Sequence, residues 1–473
     1  MKRYSLWLEN MNFAKEKKLR GNKTVDVLII GGGITGISTA YFLKDKGLRV
    51  LVAERNQLMH GVTSKTTGKI NYLQGIVYSK IEGMYSFSTA RKYLESQQEA
   101  IKLLSSIIQE EHIDCNFEKV TSSVITTNQV EKLTQEYEFL KRCNVKATFD
   151  HKVNGAELKV FDTYVFHPLK YLQQLVSVCK RSGVEFYEGT NIVNLIKEGN
   201  GYVAGTENGF SIKATHVVLA CHYPYFLLPY LFPLKTYLEK SYVAANHVRI
   251  NPHTTFITTT PNIISERFLE DEKIYQITLM GSHRIRKSWD IFSNFEYLAR
   301  NKPDFLWSNE DVMTFDMMPL SGVLHPQMYL ATGYNTWGMT NGTLSALIIS
   351  DLILKQKNSY ASLFSLQRKN FGAKILPYLE NTFDNTYSFI RSKLYHHDFS
   401  NMEFLKIVGK EVAVYHDGKK TYTVLRRCPH MGCTLLFNSI EKTWECPCHA
   451  SKFDITGKCI KGPSKYSITF QGD

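Results

Sequence analysis

Residues Thr24–Arg55 read TVDVLIIGGGITGISTAYFLKDKGLRVLVAER. Val25–Ile30 is an apolar run but for Asp26, as expected of a strand buried on both faces. Gly31, Gly33 and Gly36 follow with the spacing G-x-G-x-x-G. Ile34–Lys46 reads as a helix stopped by Gly47. Arg49–Ala53 reads as a second strand with Glu54 at its end. Gly31 suits the tight turn, Gly33 the approach of backbone N–H groups to a pyrophosphate at a helix N-terminus, and Gly36 close helix–strand packing. Glu54, 18 residues beyond Gly36, can accept from ribose hydroxyls and disfavours a 2′-phosphate. A glycine triplet alone is weak, and a plain strand–helix–strand unit with a Gly-rich turn is the bland alternative. Strand, helix, second strand and acid in that order predict a dinucleotide site.

Three further stretches bear on which dinucleotide: ERNQLMHGVTSKTTGKI (Glu54–Ile70), ATHVVLACHYP (Ala214–Pro224), and YLATGYNTWGMTNGTLSALIISDLI (Tyr329–Ile353). The last is a strand, a Gly-rich turn and an apolar helix. With the fingerprint, this set resembles the FAD-dependent D-amino-acid oxidase-like (glycine oxidase/sarcosine oxidase) family, over about residues 24–355. The resemblance implies a Rossmann-type α/β FAD-binding domain, residues 1–355, with an inserted α+β substrate domain at about 75–160 and 236–315. It places Gly61, Thr63, Ser64, Thr66 and Thr67 near the phosphates or flavin, and Gly333, Trp337, Gly338, Met339 and Thr340 beside the isoalloxazine. A helix N-terminus there favours the negative charge of reduced flavin. TARKYLESQQEAIKLLSSIIQEE (Thr89–Glu111) is an amphipathic helix within the insertion. The chain has no second G-x-G-x-x-G of the kind a nicotinamide site needs. Electrons are therefore expected from an organic substrate or another protein.

The chain has 473 residues, enough for two to four domains. Its 43% hydrophobic and 21% charged content is that of a soluble globular protein. No apolar run is long enough for a transmembrane helix, and the basic N-terminus lacks a signal-peptide core, so cytoplasmic location is the expectation. The net charge of +13 comes without a run of four or more Lys/Arg. It reads as a scattered solvated surface, with no nucleic-acid footprint. An acidic redox partner met by charge steering is the functional alternative.

Cysteine is unevenly spread. Cys115, Cys143, Cys179 and Cys221 are isolated and read as inert thiols, whereas Cys428, Cys433, Cys446, Cys448 and Cys459 fall in the last 46 residues. Residues 356–400 have helix-like spacing and read as a connector. From 401 to 473, short β-prone runs with turn signals such as Asp417-Gly418 read as a small all-β domain. Within it, RRCPHMGC (Arg426–Cys433) supplies Cys428-x-His430, and WECPCHASKF (Trp444–Phe453) supplies Cys446-x-x-His449. Each half gives one thiolate and one imidazole. Zinc fingers pair their ligands differently. The pattern resembles the Rieske [2Fe–2S] domain, in which two Cys hold one iron and two His the other. The resemblance implies ligands Cys428, His430, Cys446 and His449, a Cys433–Cys448 disulfide tying the cluster loops, and a covering loop at Gly462-Pro463. It also implies hydroxyl donors to the cluster sulfurs at two positions. Here Ser451 keeps one, and Phe453 replaces the tyrosine at the other. Cys459 has no partner in the pattern.

The expected activity is a flavin-dependent dehydrogenase. A small substrate, by resemblance an amine or amino acid, gives a hydride to FAD, and electrons pass through the Rieske centre to an external acceptor. The alternatives are a reductase fed through the Rieske domain and a redox-sensing or electron-transfer module. His283 and Arg284 are candidates for base and carboxylate binder in the substrate domain, and His222 and Tyr223 are similar candidates. For all four, a merely structural role is the competing reading.

Overall fold

The computed structural model describes residues 1–223, 235–259, 263–284, 293–368, 402–407, 409–418 and 420–470. The fingerprint stretch forms the centre of an eight-stranded sheet. Six of its strands run in the order Leu320–His325, Met328–Thr332, Ser211–Leu219, Lys23–Ile30, Val50–Ala53, Glu185–Tyr187; Gly201–Thr206 pairs antiparallel with Ser211–Leu219, and Ile192–Glu198 with Gly201–Thr206. All but the first of the six are mutually parallel. Val27–Ile29 are fully buried because both faces of the sheet are covered: Val27 and Ile29 pack with helix residues such as Ile37 and Leu344, and Leu28 packs with Ile192, Tyr202 and Ala204, so the stretch is apolar rather than alternating. The helix Ile34–Leu43 is shorter than its expected span, since the backbone leaves helical geometry at Lys44, before Gly47 turns at φ +70°. A Cβ on Gly36 would lie 1.9 Å from the Gly31 carbonyl oxygen, so only glycine allows this helix to sit so close to the turn.

The substrate domain is a nine-stranded mixed sheet. It runs Phe305–Thr314, Thr236–Val248, Ile274–Arg284, Ile264–Glu270, Thr254–Thr258, Glu118–Thr126, Gly155–Val165, Lys69–Ile70, with Ala147–Lys152 paired to Gly155–Val165. The amphipathic segment forms the helix Phe87–Glu110, capped where Ser86 Oγ accepts from the Thr89 N–H at 3.2 Å. Its buried face (Ala90, Tyr93, Leu94, Gln97, Ala100, Ile101, Leu104, Ile108) repeats every three to four residues.

Beyond Arg368 the expected connector lies, up to residue 401, outside the described residues. Residues 402–470 form two small antiparallel sheets. One is Met402–Ile407, Lys410–Asp417, Lys420–Leu425; the other is Leu436–Asn438, Thr443–Glu445, Lys452–Asp454, Cys459–Lys461. Phe437, Trp444, Phe453 and Ile468 make a small core with the cysteines. Among the described residues, no helix is long and apolar enough to cross a membrane.

Candidate active site and cluster pocket

A cavity of about 380 Å³ opens where the carboxyl ends of the parallel strands meet the substrate sheet. Gly31, Gly33, Glu54, Gly61, Thr63, Thr66, Thr67, Gly333, Gly338 and Met339 line it. Gly36 lies behind the turn, where its role is packing. Three other residues do not line the cavity. Ser64 Oγ is turned back to the Gly61 carbonyl at 2.9 Å. Trp337 stands at the N-cap of the helix Gly338–Ile353. Thr340 Oγ1 donates to Gln97 Oε1 at 2.9 Å. These three shape the walls from behind, because a loop or helix N-terminus presents only part of its circumference to the cavity.

Glu54 is half-buried at the cavity wall. Its Oε2 accepts from the Gly32 N–H and its Oε1 from the Asn56 N–H, both at 2.8 Å. Burial holds this carboxyl above its ordinary value, against the pull of those two N–H groups. The helix Ile34–Leu43 aims its N-terminus at the space beside it, and the Ile34 N–H is held by Thr63 Oγ1 at 3.1 Å. Backbone donors, a helix N-terminus and a carboxylate at one end of an elongated cavity fit the pyrophosphate and ribose of a dinucleotide.

Gly462, expected in the loop that covers the cluster, also lines the cavity. Other lining residues had no signal in the sequence: Asn309, Glu310 and Asp311 come from the substrate sheet, Lys65 from the loop after Glu54, and Lys452, Ile460 and Lys461 from the C-terminal domain. Their charges are joined. Lys240 pairs with Glu445 and, at 3.5 Å, with Glu310. Lys452 pairs with Glu441 and, at 3.3 Å, with Glu445, while Lys461 pairs with Glu310. Ser308 Oγ donates to Glu441 at 2.7 Å. Lys240, Lys452, Glu310, Glu441 and Glu445 are all less than a tenth exposed. Burial, reinforced by Lys452, lowers the Lys65 amine to about 8. Burial raises the Asp311 carboxyl to about 7, although Lys461 pulls the other way. His222, also on the wall, is pushed down by burial to about 3 and is neutral at physiological pH. Its Nε2 makes no hydrogen bond among the described residues. Tyr223 lines the same wall. His283 and Arg284 end the strand Ile274–Arg284, opposite Lys240 and Glu239, but their side chains lie outside the described residues.

The second pocket is built by two loops of matching design. In one, the Cys428 N–H donates to the Cys433 carbonyl and the Gly432 N–H to the Cys428 carbonyl; in the other, the Cys446 N–H donates to the Ser451 carbonyl and the Ala450 N–H to the Cys446 carbonyl, all at 2.8–2.9 Å. The loops are tied by a Cys433–Cys448 disulfide. Those two sulfurs and Cys446 Sγ lie within 4.8 Å of one another, but the disulfide removes two of them as ligands. The imidazoles of His430 and His449 face each other with ring centroids 4.8 Å apart and planes at 89°. His430 Nδ1 is buried and makes no hydrogen bond among the described residues, which is the state of a nitrogen that serves as a metal ligand. The Cys428 thiol is drawn down to about 7, first by its hydrogen bond with Cys446 and further by the Ser451 hydroxyl. Cys446 is held up by the same shared contact, as expected when two close thiols lose protons in sequence. Two thiols side by side and two paired imidazoles fit a cluster with sulfur-bound and nitrogen-bound irons. Phe453 is fully buried in the same core. Cys459 Sγ accepts from Arg55 Nη1 at 3.3 Å and has a structural place.

Residues 26–352 match the family model described as FAD dependent oxidoreductase, and residues 392–470 the model of the Rieske [2Fe-2S] domain. A Bacillus subtilis protein named "Putative Rieske 2Fe-2S iron-sulfur protein YhfW" is 28% identical over 97% of this chain and 95% of its own length. The gamma-glutamylputrescine oxidoreductase of Escherichia coli is 22% identical over 72% of this chain and 86% of its own. Among solved structures, the glycine oxidase of Geobacillus kaustophilus superposes with a TM-score of 0.61 at 18% identity, covering 74% of this chain and all of that one. That likeness concerns the fold. The chain therefore belongs to the FAD-dependent oxidoreductase family, as a flavoenzyme that binds FAD in its first domain and a [2Fe–2S] cluster in a C-terminal Rieske domain.

Proposed function

We propose that this protein is a dehydrogenase that oxidises a small amine or amino acid and delivers the electrons, one at a time, through its Rieske domain to an external acceptor. FAD accepts a hydride and can release its two electrons singly, and a [2Fe–2S] cluster carries one. The likeness to gamma-glutamylputrescine oxidoreductase supports an amine or amino acid as substrate. The observation that carries the internal transfer is that one cavity is walled by both modules: Lys452, Ile460, Lys461 and Gly462 face the same space as the fingerprint glycines. Ala450, next to the ligand candidate His449, packs against Tyr223 and Val312, which line that space from the other side. An enzyme that discharged only to dioxygen would gain nothing from this contact.

In this reading Gly31, Gly33, Glu54 and the loop Gly61–Thr67 hold FAD, and Cys428, His430, Cys446 and His449 hold the cluster. Asp311 is the proton acceptor best matched to neutral pH, since a base works best with a pKa near the working pH. Asn309 Nδ2 orients it by donating to Asp311 Oδ2 at 2.9 Å. The lysines Lys452 and Lys461 exclude water from the seam while remaining paired with glutamates. The acceptor is an acidic protein surface, matched to the net charge of +13.

The test is an anaerobic screen of amines and amino acids, following flavin and cluster absorbance together. Bleaching of the flavin followed by the cluster supports the reading. Bleaching only by a reductase protein makes the enzyme a Rieske-fed reductase instead. With a substrate in hand, the rate of flavin bleaching should rise with pH through about 7 as Asp311 loses its proton, and Asp311→Asn should remove that limb.

A further inference from the structure

Arg55 follows directly on the fingerprint acid, and neither cofactor's chemistry gives it a task. Its Nε donates to Asn191 Oδ1 at 3.0 Å, and its Nη1 donates to the Ser464 carbonyl at 3.1 Å and to Cys459 Sγ at 3.3 Å. Its neighbours reach the same way. Asn56 Nδ2 donates to the Ile460 carbonyl at 3.1 Å, and Asn191 Nδ2 to the Lys465 carbonyl at 3.3 Å. Residues 459–465, which hold the loop expected to cover the Rieske pocket, thus hang from three side chains of the FAD domain. The same segment continues to the cluster ligands. The Ser464 N–H donates to Ser451 Oγ at 2.9 Å, and the Ser451 carbonyl accepts from the N–H of the ligand candidate Cys446 at 2.8 Å. On the other side, Glu54 ties the backbone at Asn56 to the Gly-rich turn at Gly32. A connected path therefore leads from the turn and its acid to the backbone of the ligand candidate Cys446, and every junction in it is a hydrogen bond or a chain neighbour.

We propose that Arg55 is a positioning residue that couples the two cofactor sites: by fixing Ser464 it sets the place of Ser451 and of the loop that carries Cys446, and it makes the cluster's reduction potential depend on whether FAD is bound. The inference rests on the assignment of Glu54 to FAD and Cys446 to the cluster. A hydrogen bond donated to a ligand sulfur favours the reduced, more negative cluster. The guanidinium adds a positive charge nearby and holds Ser464 and Asn191 at once, a fork that lysine cannot reproduce. FAD binding at Glu54 bears on the backbone that carries Arg55, so the effect passes to the covering segment. Linkage requires the converse: oxidised- and reduced-cluster protein must hold FAD with different affinities, by the same factor.

The experiment uses the full chain with its cluster, stripped of FAD and then reconstituted, in redox titrations that follow the cluster by electron paramagnetic resonance. In the wild type, the potential with FAD should differ from that without it by at least the equivalent of a threefold affinity ratio; a tenfold ratio converts to about 59 mV for a one-electron couple. Arg55→Ala should lower the potential and abolish its dependence on FAD, and Arg55→Lys should fall between. An unchanged potential in Arg55→Ala, or a FAD dependence that survives it, overturns the proposal. If Arg55→Ala fails to retain iron, Asn191→Ala replaces it. That variant removes the Arg55 Nε acceptor and the Lys465 tether, and an undiminished FAD dependence there also overturns the coupling. Wild-type protein without iron or FAD overturns the underlying assignment as well, whereas a fully loaded wild type with a FAD-independent potential overturns the coupling alone.

Discussion

Ser451→Ala isolates one hydroxyl that touches the cluster pocket. Ser451 is fully buried; its Oγ accepts from the Ser464 N–H at 2.9 Å, and its hydroxyl helps lower the Cys428 thiol. Removing Oγ deletes a donor that is worth more to the reduced cluster than to the oxidised one. If the difference between oxidation states is a net hydrogen bond of about 1–1.5 kcal/mol, the potential falls by roughly 40–65 mV for a one-electron couple. The same deletion strands the Ser464 N–H, which costs about 1–3 kcal/mol of stability in the small domain. Phe453→Tyr is the complementary change. Phe453 is fully buried in the strand Lys452–Asp454, opposite Trp444 and Cys459, in the core that holds Cys428 and Cys446. A hydroxyl aimed at a cluster sulfur from that position raises the potential by a similar amount; one aimed into the core leaves the potential alone and destabilises the domain. The assay is a redox titration of the cluster signal at matched iron content, with thermal unfolding alongside. A Ser451→Ala shift below roughly 15 mV would refute the hydroxyl argument, since that is only about 0.3 kcal/mol for one electron. A shift for Ser451→Ala but none for Phe453→Tyr would refute it at Phe453 alone.

Glu54→Ala and Gly33→Val are expected to weaken FAD retention while leaving the cluster signal, and Cys446→Ala to do the converse, because each pocket has its own core; cofactor content per chain checks both. Metal analysis should find iron and sulfide at two each per chain, and about one zinc with no iron would remove the Rieske assignment. Lys240→Met leaves Glu445 and Glu310 short of a buried cation and should cost about 3–5 kcal/mol in denaturant unfolding, with Glu445→Gln in the same chain restoring part of it; a loss under about 1 kcal/mol would show the seam to be loosely held. Acid should open the same seam. Burial opposes ionisation of Glu441, but Lys452 outweighs it and holds the carboxyl down to about 2, so its contribution is present above the unfolded value of about 4.3 and is lost as pH falls toward 2.

Local pattern determined the two cofactor pockets. The turn Gly31–Gly36 can be read from sequence because its constraints lie within a few residues of one another: a Cβ on Gly36 collides with the carbonyl of Gly31. Cys428-x-His430 and Cys446-x-x-His449 can be read for the same reason, since each pair sits on one loop and the ligand types state the chemistry. The boundary of the first helix was less visible, because Lys44–Lys46 are as helix-compatible as the residues before them. What only the tertiary structure decided is how the modules meet. Lys240, Glu310, Glu441, Glu445 and Lys452 look in the sequence like ordinary solvated charges. They are buried because two β surfaces far apart in the chain close over them, and each is tolerated there only because an opposite charge arrives from a different strand. Arg55 likewise reads as a surface residue after a strand, and its partners Cys459 and Ser464 lie about four hundred positions away. Short-range pattern reports what a segment can bind. Long-range packing fixes which segments share a cavity, since that depends on contacts between surfaces no local window contains.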